Sequence, residues 1–105
     1  MMIIVYVKHY LNHEGLEYFD DIWFPTVRSV ISKQPGYISI DCSNDEKESG
    51  CKNIIVKFDS EAHLNAWAAS KRHDEIVDHL DKYRIGPWRA VRFVGHNVPS
   101  INDER

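Results

Sequence analysis

The chain is predicted to fold as an α+β domain with the element order β-α-β-β-α-β, and three observations carry that prediction. Four short runs rich in β-branched and aromatic residues alternate with period two. Two longer segments between them place their apolar residues at helical spacing. Proline–glycine punctuation, Pro35-Gly36 and Gly86-Pro87, falls where a helix must give way to a strand. With 105 residues the chain has room for one domain.

Met2 to Tyr10, MIIVYVKHY, reads as the first strand. Alternation sets Ile3, Val5, Val7 and His9 on one face and Ile4, Tyr6 and Lys8 on the other, both largely apolar, which suits a central strand. From Asn12 or His13 a helical stripe follows through Leu16, Phe19, Ile22, Trp23, Thr26, Val27, Val30 and Ile31. Pro25 lies inside it, so a kink or a division into two helical pieces is expected around Trp23–Pro25. Tyr37 to Cys42 reads as an edge strand with Ile38, Ile40 and Cys42 on its apolar face. A charged loop spans Ser43 to Gly50, and Asn53 to Asp59 is the third strand.

Ser60 to Arg84 carries the strongest helical pattern. Ser60 and Ser70 are both suited to capping a helix start, which predicts two short helices in succession. In the second, His73, Ile76, Val77, Leu80 and Arg84 recur at helical spacing, so Arg84 is expected to end that helix. Trp88 to Val94 is the last strand, with Trp88, Ala90, Arg92 and Val94 on one face. Residues 1–94 thus form the domain, and 95–105 are expected to be a polar tail. This is the split βαβ, ferredoxin-like order: a four-stranded antiparallel sheet with its helices on one face. The first and last strands keep the opposite face too apolar to meet water, which predicts a homodimer with two sheets packed face to face.

Composition narrows the function. Hydrophobic residues make up 43% and charged residues 28%, as in a globular chain. A net charge of −3 with scattered lysines and arginines argues against nucleic acid or an anionic membrane as partner. The apolar start is too short to span a bilayer and has no positive flank, so a cytoplasmic protein is expected. Cys42 and Cys51 bracket the run SNDEKESG and are read as reduced thiols; no second pair stands at metal-ligand spacing. The acidic loop Asp41 to Glu48 lacks the ordered spacing and turn glycine of a calcium loop.

The candidate site residues gather on the two helical segments and their flanking strands. His63 and Trp67, four apart, stack on one helix face and could hold a planar ligand; the plainer reading is core. His73 is a candidate general base, because imidazole titrates near neutrality; it could equally be a capping-region histidine. Arg84, Trp88 and Arg92 form a second group in which either guanidinium could hold an oxyanion or serve in an ion pair. Tyr6, His9 and Trp23 are further wall candidates.

The opening strand–helix–Pro35-Gly36–strand pattern, with Phe58-Asp59-Ser60-Glu61-Ala62-His63 followed by Trp67, Ser70 and His73, resembles the antibiotic biosynthesis monooxygenase (ABM) family over roughly Ile3 to Phe93. That family belongs to the dimeric α+β barrel superfamily. The resemblance implies oxygenation without a metal, flavin or other cofactor: an electron-rich phenolic or anthrone-like molecule is deprotonated and its carbanion reduces dioxygen directly. The protein then supplies an aromatic box, a base and a group to hold the developing enolate or phenolate. Trp67 matches the helix tryptophan of characterised members. The first-strand Asn of haem-degrading members is missing, with Lys8 or His9 nearby instead, and neither His73 nor His79 matches their haem ligand, so haem degradation is disfavoured. Two functions follow: a cofactor-independent monooxygenase using His73, His63 and Arg92, or a non-catalytic ligand-binding or stress-related barrel in which these residues pack.

Overall fold

The computed structural model describes residues 2–95. Strand β1 (Met2–Tyr10) sits inside the sheet, flanked by β3 (Cys51–Phe58) and β4 (Arg89–Gly95). Strand β2 (Tyr37–Asn44) completes the order β2-β3-β1-β4, and every neighbouring pair is antiparallel. The α-helices of the described residues are α1 (His13–Tyr18), α2 (Phe24–Ile31), α3 (Glu61–Ala68) and α4 (Lys71–Asp78). The fold is therefore the expected ferredoxin-like α+β arrangement. No described helix is long and apolar enough to cross a membrane.

Alternation decides which strand residues meet the helices. Ile3, Val5 and His9 of β1 and Ile54, Val56 and Phe58 of β3 are buried, and they join Phe19, Trp23, Val27, Ile31, Leu64, Trp67 and Ile76 between sheet and helices. Each large side chain fully withdrawn there contributes about 1.5–3 kcal/mol of hydrophobic stabilisation. On the opposite sheet face Tyr6, Val91 and Phe93 remain 44–53% exposed. The Tyr6 and Phe93 rings meet edge-on at 5.5 Å, and Ile4 pairs with Phe93 across the same face.

The first helical segment divides as Pro25 requires. Between α1 and α2 a single π-helical turn spans Phe19–Trp23, closed by Phe24 N–H donating to the Phe19 carbonyl. This places Pro25 in the first turn of α2, where its missing donor costs nothing. The extra residue also advances the phase of the stripe. Phe19, Trp23 and Phe24 all enter the core, whereas Ile22, expected to share it, is 54% exposed.

Two further elements differ from expectation. A bulge between Tyr37 and Ser39 puts Tyr37 opposite Phe58, ring edge against ring face, and turns Ile38 outward, so Ile38 does not share a face with Ile40. The second helical segment splits as the serines predict: Ser60 Oγ accepts from His63 N–H and Ser70 Oγ from His73 N–H. However, α4 ends at Asp78 rather than at Arg84. Leu80 is fully buried, a 3-10 turn follows over Asp81–Tyr83, and Arg84 is extended, bridging to Leu11. Backbone bonds from Asn12 N–H to the Tyr83 carbonyl and from Ile85 N–H to the Tyr10 carbonyl draw this stretch against the end of β1. Gly95 belongs to β4, and the rest of the expected tail, 96–105, lies outside the described residues.

Candidate functional site

Between the sheet and the helices lies a cavity of about 80 Å³, several times the roughly 10–15 Å³ that one water needs. Its walls come from β1 (Val7, His9), α2 with the turn before it (Trp23, Val27, Ile31), β2 and β3 (Ile40, Ile54, Val56), the second helical pair (Trp67, His73, Ile76, Val77) and Trp88 ahead of β4. Period two on the strands and 3.6 on the helices bring these residues inward. The surface is hydrocarbon and indole broken by two imidazoles, with no carboxylate in the wall among the described residues.

His9 is the most buried polar side chain of this wall, 2% exposed. Its ring lies 5.5 Å from that of Trp23, edge to face, and 6.2 Å from that of Trp88. Its Nδ1 is 2.9 Å from Arg84 Nη1. Burial first, then the positive charge of Arg84 and the neighbouring His73, push the imidazole down to about 3, so it is neutral at working pH. Trp23 is fixed by its indole N–H donating to the Ile76 carbonyl at 2.7 Å. Trp67, 6% exposed, receives the His73 ring edge-on at 5.4 Å, and His73 Nδ1 lies 3.2 Å from Asp74 Oδ1.

The structure thus brings together His9, Trp23, Trp67, His73 and Trp88 of the residues singled out in the sequence, with Arg84 immediately behind His9. The other three do not border this cavity. His63 lies outside this cavity on α3 with its Nδ1 2.7 Å from Asp59 Oδ1, beside a separate pocket formed with Gln34, Pro35, Ala66 and Trp67. Arg92 donates to Asn65 Oδ1 at 2.8 Å on the helix side of β4. Tyr6 lies on the opposite sheet face.

A model of the family described as antibiotic biosynthesis monooxygenase matches residues 2–79. The chain belongs to the antibiotic biosynthesis monooxygenase family. Solved structures of similar shape agree. A conserved protein from Methanosarcina mazei Go1 superposes with a TM-score of 0.81 at 14% identity, covering 91% of this chain and 94% of that one. An antibiotic biosynthesis monooxygenase gives 0.76 at 14% identity, covering 91% and 99%. A mutant of SnoaB, a cofactor-independent oxygenase from Streptomyces nogalater, gives 0.76 at 9% identity, covering 92% and 95%. At these identities the likeness is one of fold. No curated protein sequence matches the chain.

The contact between His9 and Arg84, 75 residues apart, has no local signature in the sequence. The aliphatic walls from α2, β2 and β3 could have been found only by combining the strand and helix periods. Away from the cavity, Asp45, Glu48 and Cys51 approach within 4.8 Å of one another. Lys8 Nζ already occupies both carboxylates, at 3.5 Å and 3.3 Å. Cys42 and Cys51 form no disulfide, and burial raises both thiols above their usual range, which makes them poor nucleophiles.

Proposed function

We propose that this ABM-family chain is a cofactor-independent monooxygenase acting on an aromatic, phenolic small molecule held between sheet and helices. One observation carries the reading: a half-open cavity walled by Trp23, Trp67 and Trp88, with imidazoles as its polar groups. Indole walls suit a flat, electron-rich ring, which gains most from burial and edge or face contacts. His73, on the cavity wall beside the Asp74 carboxylate, serves as the base that removes the substrate proton. The resulting carbanion reduces dioxygen, the two combine as a hydroperoxide, and loss of water leaves a new carbonyl, so one oxygen atom enters the product and the other leaves as water. His63, Arg92 and Tyr6 have no part in the chemistry on this reading.

The exposed apolar sheet face built from Tyr6, Val91 and Phe93 is proposed to be covered by a second copy of the chain, since one subunit leaves it open to water. The test of function is oxygen uptake with a panel of phenols and anthrones. Wild type is expected to consume oxygen, His73→Ala to lose about 10²-fold in turnover, and Trp67→Phe to bind more weakly. Ligand binding without turnover by wild type would make the chain a binding protein instead.

A further inference from the structure

The geometry points to Arg84 and His9 as a preset hydrogen-bond donor that makes the cavity select the anionic, phenolate or enolate, form of its aromatic ligand. The inference rests on the reading that the cavity takes an aromatic molecule, and it names the ionisation state and the positioning residue.

A guanidinium has donors only. The 2.9 Å contact from Arg84 Nη1 therefore makes His9 Nδ1 an acceptor, and a neutral imidazole then carries its hydrogen on Nε2. Arg84 is itself held before any ligand arrives. Its Nε donates to Asp81 Oδ1 at 2.8 Å, its Nη2 lies 3.4 Å from the Val77 carbonyl, and its backbone bridges to Leu11. The His9 ring is further confined by Phe19, Trp23 and Trp88.

Among the described residues, His9 Nε2 has no hydrogen-bond partner, and no fully buried side-chain nitrogen or oxygen is left unpaired. The space that Nε2 borders is the cavity, since the residue is otherwise closed off. An N–H aimed into an apolar chamber needs an acceptor, and the described residues of the wall supply none.

The charges that face His9 all favour an anion there. Arg84 stands behind it, and its counter-ion Asp81 is on the solvent side, 61% exposed. His73 approaches from α4 and lowers the basicity of His9. Lys52, the cross-strand partner of His9, is buried with its ammonium on Asp20 and Asn44. No carboxylate among the described residues lines the cavity, so an ammonium ligand would meet the His9 N–H with the Arg84 guanidinium behind it. Because His9 resists protonation, it donates its hydrogen bond without giving up or taking a proton, and deprotonation is left to another group.

The test uses the full chain and para-nitrophenol, whose phenolate is yellow and whose phenol is colourless. Nitrogen NMR of the ring reads the tautomer of His9, and absorbance against pH reads the form of the bound dye. Wild type should show the Nε2–H tautomer and bind the phenolate at least about tenfold more tightly than para-nitroanisole, its neutral methyl ether. Arg84→Met should give a mixed tautomer and lose most of that preference, Arg84→Lys should recover part of both, and His9→Phe should abolish it. Should Arg84→Met fail to fold, wild type against His9→Phe decides. An Nδ1–H tautomer in wild type, equal affinity for dye and ether, or no dye binding at all would each overturn the inference. Phenolate preference without oxygen uptake would keep it while removing the monooxygenase reading, and oxygen uptake without phenolate preference would do the reverse.

Discussion

Replacing His9 by Gln should remove a pH dependence of folding that the buried neutral imidazole creates. In the unfolded chain the ring titrates at its ordinary 6.5; in the fold it is held near 3, chiefly by desolvation and secondarily by Arg84 and His73. The folded value is the lower one, so below 6.5 the unfolded chain takes up a proton that the native state refuses. The stabilisation is complete above 6.5 and declines as the pH falls, levelling off only near 3. The slope is about 1.4 kcal/mol per pH unit, which makes the loss about 2 kcal/mol between about pH 7.5 and about pH 5. Against a domain stability of about 5–15 kcal/mol this is readily measured. Urea unfolding followed by tryptophan fluorescence at the two pH values, for wild type and His9→Gln, is the assay. A glutamine carbonyl can still accept from Arg84 but does not titrate, so wild type should lose about 2 kcal/mol more than the variant on acidification. The carboxylates of Asp45 and Asp59, held below their usual range, are common to both proteins and cancel. Equal losses in the two proteins would refute the placement of a neutral His9 in a desolvated wall.

Three further outcomes can be checked. Gly36 has φ of +81°, and a methyl group there would run into Asp59 and His63, so Gly36→Ala should cost about 2 kcal/mol or more in thermal or urea unfolding; an unchanged midpoint would contradict the turn geometry. The Lys52–Asp20 pair is lopsided, with side chains 7% and 55% exposed. Lys52→Met should therefore stay within about 1 kcal/mol of wild type because Asp20 can hydrate, whereas Asp20→Ala leaves a buried ammonium with Asn44 and the Phe19 ring but no counter-charge and should cost about 2–3 kcal/mol. The reverse ranking would refute this account of the pair. Finally, Phe93→Lys on the open sheet face should convert the proposed homodimer to monomers in sedimentation, and a wild-type chain already monomeric at micromolar concentration would remove that proposal.

Much of the fold was legible because it depends on short-range rules. Period two in MIIVYVKHY and in Asn53 to Asp59, the two serine caps and the Pro35-Gly36 stop each act within a few residues, and the structure follows them. The departures came where an inserted residue changed the phase or a helix ended early. The π turn at Phe19–Trp23 expelled Ile22, the bulge after Tyr37 turned Ile38 outward, and the end of α4 at Asp78 left Arg84 outside the helix. An inserted residue is local in sequence, but it is tolerated only because packing across the sheet recovers its cost.

The candidate site divides in the same way. His63 and Trp67 are four residues apart on one helix, and a sequence can show that much; which of the two meets the cavity depends on how α3 is rotated against the sheet, and Trp67 does while His63 meets Asp59. The sequence alone determined the order of elements, the caps and breaks, and the family, because these rest on propensity and periodicity along the chain. Only the tertiary structure decided that Arg84 stands behind His9 and that His9 is shut away from water, because both follow from the register of strands and turns that lie far apart in sequence.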